Sequence, residues 1–500
     1  MLFLILLTLL AFYLFHNFYW KRKDLPPGPT PLPLIGNLLD FIKHPPGEDI
    51  QLEWHKKYNG IFTFWLGSRP IVAVSDFKMI IDSFQKDAEA FAGRGHEVDY
   101  FNLVRGGVLG VIFIEGNFWR EQRRFSLQVL RDFGLGKNLL QERMLEEIQA
   151  LFSRINAQID EGNTEIGVDN LIDISVGSII NALLFGYRYT DDKIEEFNDL
   201  KKRAQTFIRV NGHPVQRLIR DYPHIYKYLP YFKNKLAQAK DSVEYLHKFF
   251  QDRVNEHQKD LKDFDLSDKP PSDFVEAFIQ EWERKKQTGE ANFFSNKQLI
   301  VLLFDLWVAG QETTSNTLQC FVAHLIHNPN VEKKAHEELD RVIGSDRLVT
   351  MDDKVNLVYI NALVMEVQRV ANLLAINLLH RTTKDVKVGD YLLKKGTWCV
   401  PQLCVLFINP EIYPNPKQFN PDRFIENGKI KTSNELIPFS IGKRACLGEG
   451  LARMELFLFI ANLLNQYRFL PGKQMPNLQR NHGVTVSLNR FTCNPQRRFT

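Results

Sequence analysis

One short stretch near the carboxyl end limits this chain more than any other: Phe439-Ser440-Ile441-Gly442-Lys443-Arg444-Ala445-Cys446-Leu447-Gly448. Its glycines permit a tight loop, and an apolar run with helical spacing, from Leu451 to Leu464, follows directly. A cysteine just before a helix start meets free backbone N–H groups and the positive end of the helix dipole, and both favour thiolate over thiol. Arg444 adds positive charge nearby, and Gly448 lets a flat partner approach the backbone closely. A single thiolate bound to a large planar metal cofactor needs these surroundings. A redox-active or nucleophilic cysteine needs them equally.

The remaining cysteines, Cys320, Cys399, Cys404 and Cys493, form no CxxC pair, and five in 500 residues exclude a disulfide scaffold. Hydrophobic residues at 44% and charged residues at 24% exclude a disordered, collagenous or coiled-coil chain. The charge sum, 63 − 59 = +4, is too mild to argue for nucleic acid as a partner. The 38 phenylalanines suit a large aromatic interior.

Residues 1–20, MLFLILLTLLAFYLFHNFYW, carry no charge and are followed by Lys21, Arg22 and Lys23. About 20 apolar residues suffice to cross a bilayer as a helix. The basic cluster follows the apolar run and the run ends in Phe18, Tyr19 and Trp20, which favours an uncleaved signal anchor over a cleaved peptide. The positive-inside rule then puts the rest of the chain in the cytosol. A basic and proline-rich spacer, 21–35, holds Pro26-Pro27-Gly28-Pro29, Pro31 and Pro33, and reads as semi-rigid.

In the body, Ile61–Leu66 and Ile71–Val74 read as a hairpin split by Gly67-Ser68-Arg69-Pro70. From Asn117 to about Gly344 the pattern is helical, interrupted by linkers at 162–164, Pro223–Pro230 and the charged stretch Lys259–Pro271, which reads as a surface loop. Short strands are expected at Val386–Val388 and Trp398–Pro401, and helix again from Gly448 to Tyr467. Leu299–Asn328 reads as a long buried helix interrupted by Ala309-Gly310-Gln311-Glu312-Thr313-Thr314. The fold class is mainly α with small β-sheets. About 150 residues per domain would give roughly three domains. No clean boundary divides 36–500, however, so one large domain behind the anchor is expected.

The string Phe-x-x-Gly-x-Arg-x-Cys-x-Gly has a chance occurrence on the order of 10⁻⁴ in a chain this long. It resembles the haem-binding loop of the cytochrome P450 family, and the resemblance extends over nearly the whole body. That resemblance implies the cytochrome P450 fold and haem b, with Cys446 as axial ligand of the iron. It also implies that Ala309–Thr314 belongs to the oxygen-activating helix, where the glycine opens a groove beside the haem. Glu312 and Thr313 there take the places of the acid–alcohol pair that relays protons. Glu-x-x-Arg occurs four times, and only Glu366/Arg369 lies where the family places its buried pair, joined by Arg423 of Pro421-Asp422-Arg423-Phe424. These three are read as a structural network. Arg94, Trp119, Arg123, His380 and Arg444 match the family's clamp on the haem propionates. Phe113, Ala309 and Leu374 are the expected pocket wall, beside Ala375, where many relatives carry proline.

The resemblance is closest to microsomal drug- and lipid-metabolising members, with an invertebrate source as one reading. It implies a monooxygenase in the endoplasmic reticulum membrane, single-pass and facing the cytosol, acting on apolar small molecules such as xenobiotics, fatty acids or other lipids. Electrons would come from NADPH through cytochrome P450 reductase, with cytochrome b5 as a second candidate partner. Basic residues around Arg120, Arg124 and Lys443 could face such a partner. A haem-thiolate isomerase or dehydratase, and a non-catalytic haem sensor, are the alternatives. Neither has much use for an acid–alcohol pair, so Glu312-Thr313 counts against both.

Overall fold

The computed structural model describes residues 1–499 except 96, 134–137, 262–269 and 291–292. The uncharged amino-terminal run forms helix α1 (Leu2–Phe18), continued by a tight turn through Arg22. Within Leu2–Arg22 the most apolar 18-residue window has a mean hydropathy of 1.9, and nothing in it is buried. The one other described helix that is long and apolar enough to span, Val168–Phe185, is 89% buried and belongs to the core.

The proline-rich stretch is less free than its composition suggests. From Pro26 onward it lies on the body: Thr63 N–H donates to the Pro27 carbonyl (3.0 Å), and Arg22 donates to the Gly28 carbonyl (3.1 Å). A Cβ at Gly28 would stand 1.9 Å from the Thr63 carbonyl oxygen, so only glycine allows this approach.

Strand β1 (Ile61–Leu66) pairs antiparallel with β2 (Arg69–Val74) through the two-residue turn Gly67-Ser68. The strand therefore starts two residues earlier than the sequence suggests. Pro70 is tolerated because β2 meets its second neighbour, β6 (Trp398–Pro401), only over Val72–Val74, which leaves the proline beyond that ladder. With β3 (His380–Arg381) the sheet runs β1-β2-β6-β3. Val386–Val388 forms the expected strand β4, paired with β5 (Tyr391–Leu393).

Helices supply the rest. Those that bear on the site are α2 (Glu48–Lys57), α3 (Gly116–Asp132), α4 (Val168–Phe185), α5 (Ile194–Gly212), α6 (Asn296–His327), α7 (Val358–Ala371) and α8 (Glu449–Gln466). Helix α6 is continuous through Ala309–Thr314, where the sequence suggested an interruption, because no proline intervenes and Gly310 lies against a neighbouring helix. Pro223–Tyr226, expected as linker, is a short helix with proline at its first turn. The helix before the charged stretch runs from Pro230 to Leu261, and most of the expected loop beyond it lies outside the described residues. One apolar cluster takes side chains from almost every element, from Leu38 to Cys493, which matches a single large domain.

Candidate active site

Helix α6 crosses the core, and most of its residues are buried. Ala309 is nevertheless exposed, and Leu306, Gly310 and Thr313 are half-exposed. Spaced three and four residues apart, they share one helix face, which is left partly uncovered in an otherwise buried helix. Thr313 Oγ1 donates to the Ala309 carbonyl at 2.7 Å. Gly310 permits close approach to α4, because a Cβ there would stand 3.0 Å from Ile180 Cδ1.

Glu312, one position round the helix, is buried, and its carboxylate pairs with Lys201 of α5 at 2.7 Å. Lys201 also pairs with Asp173 of α4 at 3.0 Å, and Asp173 with Arg490. Burial pushes the Glu312 carboxyl up, while Lys201 pulls it down. The structure thus brings Glu312 to Lys201 rather than to the Thr313 hydroxyl. The next residue, Thr314, donates to Glu455 Oε2 at 3.1 Å and ties α6 to α8.

Cys446 stands in the loop that leads into α8, with Gly448 at the helix N-cap. The loop bends at Gly442 (φ 74°), where a Cβ would stand 1.8 Å from the Phe84 carbonyl oxygen. The Cys446 N–H donates to the Phe439 carbonyl at 2.8 Å. Its side chain is exposed on the loop. Burial of its surroundings pushes the thiol up, while the Gly448 N–H and Arg123 pull it down. The helix-start effect read from the sequence is present, but in the bare protein burial outweighs it.

Around this loop the structure gathers the expected cationic set. Arg123 donates to the Ala445 carbonyl at 2.6 Å. Arg444 donates to the carbonyls of Ala92 and Ile114, both at 2.8 Å, and its guanidinium lies 3.8 Å from the Trp119 ring centre. Arg94 donates to the carbonyls of Leu378 (3.1 Å) and Leu379 (2.7 Å), while its Nε is buried without a partner. His380 Nδ1 bonds the Phe91 carbonyl at 2.6 Å, and burial holds this imidazole neutral, well below its usual range. Burial and mutual repulsion lower Arg444 to about 8, and burial lowers Arg94 to about 10. Three guanidiniums converge there, and among the described residues Glu115 is the one acidic neighbour that acts on Arg444. Such a cluster is matched by a partner with two carboxylates. The donor set fits a haem: an exposed thiol at a glycine-cleared loop, an open face with Ala309 on α6, and cations sized for two propionates.

Behind the loop, Glu366 of α7 accepts from Arg369 through both oxygens (2.7 and 2.8 Å) and from Arg423 at 3.2 Å. Arg369 also donates to the carbonyls of Phe407 and Pro416, and Arg423 to those of Pro414 and Gln418. Phe113 is half-buried against Phe101 (4.7 Å between ring centres), and Leu374 is half-buried. Sequence reasoning missed three groups here. Lys201 hides in the run Lys201-Lys202-Arg203, which reads as a solvated face. The buried Arg105–Asp305 pair, beside Phe113, joins segments far apart in sequence. Glu455 sits in an apolar helix without a visible partner in the sequence.

A family model described as cytochrome P450 matches residues 26–493. The chain is 35% identical over 484 residues to cytochrome P450 2C4 of Oryctolagus cuniculus, covering 95% of this chain and 94% of that one. It is 35% identical to cytochrome P450 2H2 of Gallus gallus, covering 94% and 92%, and 33% identical to cytochrome P450 2A6 of Homo sapiens, covering 95% and 94%. The chain therefore belongs to the cytochrome P450 family, as a haem b-dependent, haem-thiolate monooxygenase.

Proposed function

We propose that this protein is a membrane-anchored monooxygenase that inserts one oxygen atom from O2 into apolar small molecules such as xenobiotics, fatty acids or other lipids, with electrons from an NADPH-dependent reductase. The observation that carries the reading is the exposed Cys446 thiol beside Arg123, which converges with Arg94 and Arg444 into an under-neutralised cationic cluster. When bound, haem supplies the redox chemistry that activates dioxygen. Cys446 Sγ would hold the iron, and Arg94, Trp119, Arg123, His380 and Arg444 would hold the propionates. Thr313 Oγ1 stands at the open face of α6 and can pass a proton once it leaves the Ala309 carbonyl. Glu312, its carboxyl raised by burial, stores a proton when the Lys201 pair loosens. Ala309, Phe113 and Leu374 present apolar surface to a substrate. Glu366, Arg369 and Arg423 hold the backbone behind the loop.

A surface recess of about 600 Å³ supports the reductase reading, with cytochrome b5 as a second partner for the same face. It is lined by Arg120, Arg123, Arg124, Arg131 and Lys443 against Glu89 and Asp132, and Arg123 reaches from it to the Cys446 loop. Such an excess of positive charge steers an acidic partner. Helix α1, apolar and with no buried residue, supports a single-pass anchor in the endoplasmic reticulum membrane with the body facing the cytosol. We place the anchor at 1–20, the spacer at 21–35 and the catalytic domain at 36–500.

The deciding measurement is the absorption spectrum of the reduced, CO-bound protein, followed by NADPH-dependent turnover with purified reductase. A Soret band without the thiolate red shift overturns the reading. Thr313→Ala should divert electrons into peroxide; coupling unchanged from the wild type removes Thr313 from the proton path.

A further inference from the structure

Between α7 and β3 the chain passes through Asn372-Leu373-Leu374-Ala375, and its carbonyls are fastened with unusual density. Arg480 donates to the carbonyls of Ala371 (2.8 Å) and Asn372 (2.6 Å) and is ion-paired with Glu48 of α2. Asn372 is in the left-handed region (φ 39°), and its amide donates to Glu48 (2.9 Å) and to the Cys404 carbonyl (3.2 Å). The Leu373 carbonyl accepts from Val486 N–H at 2.8 Å. The Ala375 carbonyl accepts from three side chains, Gln51 (2.8 Å), Gln402 (2.7 Å) and Cys404 (3.2 Å).

A carbonyl has two lone pairs, so three donors on one oxygen exceed what satisfying it requires. The arrangement also leaves the Oε1 atoms of Gln51 and Gln402 buried without partners. Unpaired buried amide oxygens are destabilising, and apolar side chains could fill the same space without that penalty. Leu374 lies between the pinned carbonyls. It is half-buried and joins none of the apolar clusters among the described residues, whereas Leu373, Ile376 and Leu379 on either side pack into them. Alanine at 375 does not fix its own φ as proline would, so the stiffness of this turn comes from the side chains around it.

We propose that Gln51, Gln402, Cys404 and the Arg480–Glu48 pair are positioning residues that hold Leu374 as a rigid wall of the substrate pocket and thereby set which apolar molecules fit. The proposal rests on the haem-thiolate reading above. It assigns these residues no contact with substrate; they act through Leu374.

The test uses the full-length, haem-loaded protein and two nitrogen ligands, imidazole and 4-phenylimidazole, titrated by the Soret shift. The ratio of their dissociation constants reports room for a phenyl group above the haem. Leu374→Ala and Gln402→Met should each change that ratio in the same direction, on the order of threefold to tenfold, at or below the worth of one methylene in an apolar pocket. In the Leu374→Ala background Gln402→Met should add nothing. A ratio that Gln402→Met leaves within twofold of wild type, or a shift that persists undiminished in the Leu374→Ala background, overturns the proposal. Should Gln402→Met fail to accumulate, Cys404→Ala and Gln51→Met carry the same comparison. Amide exchange of Val486 in the wild-type holoenzyme gives a readout that needs no variant. Exchange as fast as an exposed turn overturns the proposal. A wild-type spectrum lacking the thiolate red shift, by contrast, defeats the haem-thiolate reading itself.

Discussion

Removing the Lys201 ammonium would strand Glu312, since Asp173 keeps Arg490 but Glu312 keeps no other cation within ion-pair distance among the described residues. Breaking a buried pair on one side costs about 3 kcal/mol or more. Lys201→Met should therefore lower stability by roughly that much in a denaturant titration, and Lys201→Met with Glu312→Leu should recover most of the loss. Equal instability of the single and double variants would show that the pair is not what matters there. Glu455 makes a pH prediction. Burial, barely offset by Thr314, raises its carboxyl from 4.5 to about 8. Between those values the folded protein keeps a proton that the unfolded chain has lost. This contribution is therefore intact below about 4.5 and is lost as pH rises through about 8. Glu455→Gln should stabilise the protein by about 5 kcal/mol at pH 9, do little at pH 5, and flatten the profile between. Parallel profiles for variant and wild type would contradict this account.

At the scale of elements, the Cys446 loop depends on its backbone shape. Gly442→Ala would place a Cβ in a left-handed turn and against the Phe84 carbonyl. The variant should fold its helices, by far-ultraviolet circular dichroism, yet retain far less haem per chain; full haem content would mean that the loop can shift. Glu366→Gln leaves Arg369 and Arg423 without their shared carboxylate, at a cost of about 3–5 kcal/mol. Its yield of haem-loaded protein should collapse, and a normal yield would remove the network from folding. The loop was legible in the sequence because its glycines, arginine and cysteine act within ten residues of one another. Glu366 was legible only through family placement, since Glu-x-x-Arg recurs four times. Lys201 and Asp305 were not legible, because their partners come from other elements and periodicity carries no record of such pairing.

For the molecule as a whole, composition indicated a mainly helical body with a large interior, and the dominant apolar cluster, which draws on almost every element, matches that. The proline stretch was read as spacer to residue 35, yet hydrogen bonds fasten it to β1 from Pro27, which composition could not reveal. Deleting Leu2–Trp20 should leave the free energy of unfolding within about 0.5 kcal/mol, because no side chain of α1 is buried. The shortened protein should remain in the supernatant when membranes are pelleted; continued sedimentation would point to a second lipid contact.

The fastening at Pro27 has a further consequence. With α1 in a bilayer and Arg22 closing its turn, only Lys23, Asp24 and Leu25 lie between that turn and Pro26, where the chain meets the body. Three residues reach at most about 11 Å. On the proposed anchoring, so short a leash would keep the body from roaming through the aqueous phase. It would hold the body close to the membrane, its β1–β2 edge toward the headgroups, where lipid concentrates apolar molecules.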